Sequence, residues 1–309
     1  MNTDQLVSIV IPCYKMGKFI GEALESVGKQ TYGDWEVIAV DDCGPEDGTQ
    51  AIVESFGKSH TDHRVEFIRH EENKGVSAAR NTAIRAADGH YLAFLDPDDY
   101  WGGSYLKTHI GKLEVANAIS VSYTAGRCVS EQGALTGEIQ GPDQGELQNL
   151  PESLYRRNFI NPSTVVVSKA CVQSCGGFDE SQDIKVGEDW DLWLRLMDEG
   201  ARFSYTPEAE SYYRTHPGGA TQNLEASING RVALWEKHFS KQQFKEYKLR
   251  HFAEMEFELK RVKGRLSLVE GEIAILRAKS IRSRLRKLIL GVLPASTERI
   301  LRKCLSKKL

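Results

Sequence analysis

Long apolar runs are absent from this 309-residue sequence. No stretch reaches the roughly 18 apolar residues that a helix needs to cross a bilayer. The N-terminal residues MNTDQLVSIVIP lack a basic region followed by a long apolar stretch, so we expect no signal peptide. A hydrophobic content of 40% and a charged content of 27% are ordinary for a soluble globular protein.

The cysteines form no disulfide framework and no complete metal site. There are six, scattered along the chain, and only Cys171 and Cys175 are close enough in sequence to suggest a metal. No second Cys or His pair completes such a site, so we expect reduced, structural cysteines. A cytoplasmic protein is the corresponding expectation.

Acidic residues are nearly absent from the C-terminal segment. Residues 277–309 carry eleven Lys and Arg but one acid, Glu298, which gives a net charge of +10. The preceding residues carry 29 bases and 42 acids, a net charge of −13. An acidic body with a basic tail suggests that the tail has an anionic partner of its own.

The first hundred residues alternate short apolar strands with helices. The predicted strands are Val7 to Pro12, Trp35 to Asp42, Val65 to His70 and His90 to Asp99, and the predicted helices are Phe19 to Lys29, Gly48 to Phe56 and Val76 to Ala87. This alternation predicts an α/β fold with a mostly parallel central sheet.

Carboxylates follow two of these strands, where parallel sheets bind their ligands. Asp41 and Asp42 follow the second strand, and Asp96, Asp98 and Asp99 follow the fourth. The first strand is followed by PCYKMGKF, without the G-x-G-x-x-G of a dinucleotide-binding dehydrogenase, which excludes that class. The same segment lacks the Gly-rich basic loop expected of a sugar-nucleotide nucleotidyltransferase.

The rest of the chain divides into three parts. Residues 104–240 contain less regular strands and a helix that begins near Glu188, and we expect them to supply the acceptor side. In residues 241–279, apolar side chains recur every three and four positions, which predicts a coiled coil for self-association or a partner helix, or one long helix that packs back on the first domain. Residues 280–309 form a basic amphipathic tail.

Four segments together resemble glycosyltransferase family 2, whose members are inverting enzymes of the GT-A fold. They are SIVIPCYKMGKFIGEALESVGKQTYGDWEVIAVDDCGPEDGT, NKGVSAARNTAIRAADGHYLAFLDPDDYW, GGFDE and GEDWDLWLRL. The resemblance runs from about Leu6 to Thr221, in the family's order and spacing, and makes residues 1–240 a glycosyltransferase domain whose nucleotide-binding half is about 1–103.

The resemblance implies a nucleotide-sugar donor, typically a UDP-sugar, and a divalent cation, Mn²⁺ or Mg²⁺. Asp98 is implied as a metal ligand, and Asp96 as a metal or ribose contact. A cation there would neutralise charge on the leaving diphosphate. Acids at a strand end also cap helices, which is the structural alternative.

The family positions also imply a nucleotide site. Asp41 is expected to accept a hydrogen bond from the base, with Pro12 and Tyr14 flanking that base. Lys74 and Arg80 are expected to face base or phosphate, unless they are only surface charges.

The acceptor side has its own implied residues. Asp189 is the expected general base, with Glu188 orienting the acceptor or the start of the helix. Residues 213–219 are predicted to form a late loop in which Arg214 clamps phosphate and His216 joins the metal, or a plain surface loop. Trp190 suits a sugar ring and a protein core equally.

Two partners and two other functions complete the hypothesis. We expect a saccharide or lipid-linked acceptor in bacterial surface glycan synthesis, and a tail that contacts an anionic membrane at the inner face of the cell, rather than a protein partner, solvent or nucleic acid. The alternatives to an active transferase are an inactive assembly protein with this fold and the nucleotidyltransferase.

Overall fold

The computed structural model describes residues 5–115, 120–150, 152–181 and 186–219, together with residues 230, 233, 234, 237 and 238. One compact unit, Met1–His238, contains all of them. The predicted coiled coil at 241–279 and the predicted tail at 280–309 lie outside the described residues.

Strands and helices alternate through the first half and become shorter in the second. The strands are β1 Val7–Cys13, β2 Trp35–Asp41, β3 Val65–Arg69, β4 Tyr91–Phe94, β5 Tyr100–Trp101, β6 Val121–Tyr123, β7 Gly126–Val129, β8 Leu135–Gln140, β9 Val165–Ser168, β10 Phe203–Tyr205 and β11 Ser211–Arg214. The helices are α1 Ile20–Gly28, α2 Thr49–Ser59, α3 Val76–Ala86, α4 Tyr105–Val115, α5 Gln144–Gln148, α6 Glu152–Arg156, α7 Lys169–Ser174 and α8 Glu188–Asp198.

A seven-stranded sheet forms the centre, in the order β10-β6-β9-β4-β1-β2-β3. β1 pairs in parallel with β2 and β4, β2 pairs in parallel with β3, and β6 pairs in parallel with β10. β9 runs antiparallel to both of its neighbours, β4 and β6. The predicted mostly parallel sheet is confirmed.

The central strands are buried on both faces. Every residue of β1 and β2 is buried, as expected for parallel strands covered by helices on each side. α1 covers the sheet with Ile20, Ala23, Leu24 and Val27 and leaves Glu22 and Glu25 outside, the pattern of an amphipathic helix.

A second, four-stranded sheet was not predicted. Its order is β5-β11-β7-β8, with β11 antiparallel to β5 and parallel to β7. Tyr213 and Arg214 therefore end a strand, whereas the sequence suggested that they lie on a loop. The fourth predicted strand is also shorter than expected: β4 ends at Phe94, and the acids that follow it form a turn closed by the Asp99 N–H, which donates to the Asp96 carbonyl (3.0 Å).

Candidate active site

The carboxyl ends of β1, β2 and β4 meet at one edge of the central sheet, because these strands are parallel neighbours. Pro12 is buried near the end of β1, and Tyr14 follows that strand with 42% of its surface exposed. Asp41 is buried at the end of β2. The residues predicted to hold the nucleotide base therefore lie at the ends of two adjacent strands.

Asp41 is held by a backbone N–H and by an arginine side chain. Its Oδ1 accepts a hydrogen bond from the Gly44 N–H (3.2 Å), and its Oδ2 lies 2.8 Å from Arg69 Nη1. A Cβ on Gly44 would lie 3.0 Å from Asp41 Oδ1 and 3.6 Å from Tyr14 Cδ2, so the carboxylate and the exposed ring border the same small space. Arg69 was missed by the sequence interpretation, although its place at the end of β3 was the available signal.

Asp42 organises the turn that leads into α3. Its Oδ1 accepts from the Lys74 N–H (2.9 Å) and its Oδ2 from the Gly75 N–H (2.7 Å). His70 Nδ1 lies 2.7 Å from the same carboxylate. Asp42 is buried, while the Lys74 side chain is exposed at the sheet edge.

The acid turn after β4 concentrates negative charge. Burial raises the pKa of Asp99 well above its ordinary value, and the neighbouring carboxylates of Asp98 and Asp96 add to this effect. Burial also raises the pKa of Asp96, against the opposing effect of Arg80. The turn is tied to the surrounding fold because the Asp96 N–H donates to Ser163 Oγ (3.0 Å) and Asp99 Oδ1 accepts from the Arg214 N–H (2.9 Å).

Asp98 and His216, two of the predicted metal ligands, lie together: His216 Nε2 is 2.9 Å from Asp98 Oδ2. In the described part of the chain, no three His, Cys, Asp or Glu side chains are arranged to hold a metal. Mg²⁺ is commonly bound by one or two protein carboxylates, with substrate phosphates and water completing its shell. The donor set of a carboxylate and an imidazole at this edge therefore fits a cation that is completed by a diphosphate.

Arg214 is buried, and its guanidinium is surrounded by protein acceptors. Nε donates to the Asp98 carbonyl and Nη1 to the Glu131 carbonyl, both at 2.8 Å, while Nη2 pairs with Glu22. The guanidinium lies over the Phe19 ring at 5.5 Å from its centroid. The side chain thus connects α1, the acid turn and the β7–β8 hairpin.

The acid pair Glu188–Asp189 begins α8, as predicted. Gly187 precedes it with a φ of 99°, which favours glycine. Asp189 Oδ2 accepts a hydrogen bond from Asn158 Nδ2 (2.8 Å) and Oδ1 from the Trp190 N–H (2.7 Å). Burial and the adjacent Glu188 raise the pKa of Asp189 to about 7, the range suited to a general base near neutral pH.

Arg80 joins the two acidic motifs. Its Nη2 donates to Asp96 Oδ1 (2.7 Å) and its Nη1 to Glu188 Oε1 (2.6 Å). The acid turn after β4 and the start of α8 therefore belong to one site, although they are about ninety residues apart in the chain. Trp190 lies in the core, where its indole N–H donates to the Leu154 carbonyl (2.6 Å).

The fold is shared with a protein of known structure. The crystal structure of Staphylococcus aureus TarS 1–349 in complex with UDP-GlcNAc superposes with a TM-score of 0.65, covering 84% of this chain and 74% of that chain at 22% identity. At this identity the likeness defines the fold alone. It is the GT-A fold, which has a mostly parallel central sheet.

The family follows from the sequence comparison. Residues 8–179 match the model of glycosyl transferase family 2, and the chain belongs to this family. Two Escherichia coli relatives are named UDP-Glc:alpha-D-GlcNAc-diphosphoundecaprenol beta-1,3-glucosyltransferases. WfaP is 31% identical over 71% of this chain and 81% of its own length, and WfgD is 39% identical over 63% and 70%.

Proposed function

We propose that this chain transfers a sugar, with inversion, from a UDP-sugar to an acceptor hydroxyl in the synthesis of a bacterial surface or lipid-linked glycan. The observation that carries the proposal is the bridge through Arg80, which brings the acid turn Asp96–Asp99 and the acid pair Glu188–Asp189 into one site. The names of the two E. coli relatives support a UDP-sugar donor and a lipid-linked acceptor.

Transfer with inversion requires a general base on the face of the donor sugar opposite the leaving UDP. Asp189 takes the proton from the acceptor hydroxyl, whose oxygen forms a bond to the sugar C1 as the bond from C1 to the β-phosphate oxygen breaks and UDP leaves. The attack on the face opposite UDP inverts the configuration at C1. A raised pKa suits Asp189 to this role, because its carboxylate is basic enough to accept the proton near pH 7.

Asp98 and His216 would hold Mg²⁺ or Mn²⁺, with Asp96 beside them as a second carboxylate or a ribose contact. When bound there, such a cation would supply positive charge that stabilises the leaving diphosphate. Asp41 and Tyr14 would hold the uracil, and the exposed Lys74 side chain lies at the same sheet edge. Arg214 can clamp phosphate only by exchanging a protein acceptor for it, because Glu22, Asp98 and Glu131 surround its guanidinium.

UDP release from a panel of UDP-sugars, beginning with UDP-Glc and UDP-GlcNAc in Mn²⁺, tests the proposal. We expect turnover with at least one donor, and its loss in EDTA and recovery with added Mn²⁺ or Mg²⁺. Asp189→Asn should bind UDP within about threefold of the wild type and lose at least 100-fold in kcat, because a general base contributes about 10²–10⁴-fold.

Two results would contradict this function. Wild-type protein that binds no UDP and hydrolyses or transfers from no UDP-sugar would favour the inactive assembly protein. Formation of UDP-sugar from UTP and a sugar phosphate would favour the nucleotidyltransferase.

A further inference from the structure

Arg80 is a buried arginine whose charge is shared between two halves of the catalytic unit. It lies on α3, in the nucleotide-binding half, and only 3% of its surface is exposed. Its guanidinium stacks 5.1 Å from the centroid of Phe178, in the GGFDE segment of the acceptor half. Both terminal nitrogens reach carboxylates, Asp96 after β4 and Glu188 at the start of α8.

The planar guanidinium is well suited to such a bridge. Its two terminal nitrogens point along fixed directions, so that each can bind one carboxylate at hydrogen-bond distance, whereas a lysine ammonium is a single point charge on a flexible stem. The cost of burying the cation is offset because both carboxylates are within 2.7 Å of it. Each terminal nitrogen therefore already has a protein carboxylate as a partner.

The neighbouring residue on α3 strengthens the same junction. Asn81 Nδ2 donates to the Phe178 carbonyl (2.8 Å), and Asn81 Oδ1 accepts from the Phe178 N–H (2.8 Å). Gly177 makes this approach possible, since a Cβ there would lie 2.5 Å from Asn81 Oδ1. α3 therefore holds the acceptor half at two adjacent positions, one neutral and one charged.

We propose that Arg80 is a positioning residue that holds Glu188, and with it the first turn of α8, at a fixed distance from the acid turn after β4. Asp189 follows Glu188 directly. The bridge therefore determines where the Asp189 carboxylate, the proposed general base, lies relative to the donor. The inference rests on the proposed function, and it replaces the sequence-based expectation that Arg80 faces the base or phosphate of the donor.

A double-mutant cycle in the full chain tests this role. Arg80→Gln, Glu188→Gln and the double variant are compared by kcat at saturating donor and by UDP affinity in calorimetric titration. We expect each single variant to lose at least tenfold in kcat, and the double variant to lose no more than the worse single, because one bridge is removed in each case. UDP affinity should fall by a smaller factor than kcat, because Arg80 reaches the donor site only through Asp96.

Two results would contradict the positioning role of Arg80. One is a double variant whose loss in kcat is the product of the two single losses. The other is a fall in UDP affinity as large as the fall in kcat/KM, which would make Arg80 a donor ligand.

A matched arginine, Arg195, provides the control for effects on folding. Arg195 also pairs with a buried carboxylate of α8, with its Nε 2.8 Å from Asp191 Oδ2. Arg195→Gln should lower the urea midpoint and leave kcat within about twofold of the wild type. An equal loss of kcat in Arg195→Gln and Arg80→Gln would mean that any loosening of α8 is sufficient, which contradicts a specific role of Arg80.

The same cycle is read in urea unfolding, where no turnover is needed. Arg80→Gln leaves Glu188 without its cation, and Glu188→Gln removes one of the two carboxylates that balance the buried charge of Arg80. We therefore expect the double variant to be at least tenfold more stable, in the unfolding constant, than the sum of the single effects predicts. Absence of this coupling would refute the bridge, whereas absence of turnover by the wild type would refute the proposed function alone.

Discussion

Asp189 shows how the surroundings of one carboxyl group determine its chemistry. Burial and the negative charge of Glu188 raise its pKa to about 7, while Arg80, the Trp190 N–H and Asn158 act in the opposite direction. An aspartate in water would be too weak a base to take a proton from a hydroxyl near neutral pH. Its position at the start of α8 follows from the sequence, but its partner Asn158 does not, because no local pattern marks it.

Asn158→Ala should therefore move the pH profile of turnover. Asn158 Nδ2 donates to Asp189 Oδ2 (2.8 Å) and stabilises the ionised form, so its loss raises the pKa of Asp189 further. As the proposed general base, Asp189 works only when deprotonated, so kcat should fall about tenfold per pH unit below its pKa. We expect this acid limb to shift upward by about one pH unit, since a hydrogen bond to a charged group contributes about 1.5 kcal/mol or more.

The kcat profile between pH 5 and 9 provides the measurement. The plateau at high pH should stay within about threefold of the wild type, because Asp189 is ionised there in both proteins. Asn149→Ala is the control, since Asn149 Nδ2 donates to the Gly145 carbonyl on exposed α5. An acid limb that does not move in Asn158→Ala would show that Asp189 does not set it.

At the scale of the elements, buried strands and amphipathic helices were predictable, and short exposed strands were not. β1 to β3 and α1 to α3 lie within about three residues of their predicted bounds, because each carries a strong apolar pattern. All six residues of β8 are exposed, so it has no such pattern. β11 is a strand because it pairs with β5 and β7, which lie more than eighty residues earlier in the chain.

The turn before α3 is held by one buried acid, Asp42, which accepts from two of its backbone N–H groups. Asp42→Asn replaces an oxygen that accepts from Lys74 or Gly75 with an amide nitrogen that cannot accept. We expect the free energy of unfolding to fall by about 1–3 kcal/mol, the cost of an unsatisfied buried donor. UDP affinity should fall about tenfold, because Lys74 belongs to this turn.

Urea unfolding and calorimetric titration with UDP measure the two effects. Asp88→Asn is the matched control. The Asp88 side chain is 70% exposed and pairs with Arg64. Both residues precede strands of the central sheet, so they lie at the edge opposite the candidate site. It should change the free energy of unfolding by less than about 0.5 kcal/mol and leave UDP affinity unchanged. Unaltered UDP affinity in a destabilised Asp42→Asn protein would separate this turn from the nucleotide site.

At the scale of the whole molecule, the order of the motifs predicts the site, but not the contacts that assemble it. Asp96, Asp98, Glu188 and Asp189 were all expected from the resemblance. The bridge through Arg80, the pairing of Arg214 with Glu22 and the burial of Asp191 against His238 each join residues that are far apart in sequence. Such pairs depend on packing between elements, which a local pattern does not encode. No described helix has the length and apolarity to cross a membrane.

The separation of charge along the chain leads to the last prediction. The eleven bases of residues 277–309 face one acid, so this segment should bind anionic bilayers even though the whole chain has a net charge of −3. Each base near an anionic surface contributes about 1 kcal/mol. Replacing Arg282, Arg284 and Arg286 with Gln should therefore weaken binding to vesicles that contain anionic lipid by about 100-fold.

Co-sedimentation with anionic and with zwitterionic vesicles measures this binding, at low and at high salt. Replacing the same three arginines with lysine keeps the charge and should keep the affinity within about threefold, because the attraction to the surface depends on charge. Turnover of the donor in solution should be equal in all three proteins, since the substitutions lie outside the catalytic unit. If the Gln variant and a chain that ends at Leu276 sediment with anionic vesicles as strongly as the full chain, the tail is not a membrane-binding segment, and the protein must reach a lipid-linked acceptor through another surface.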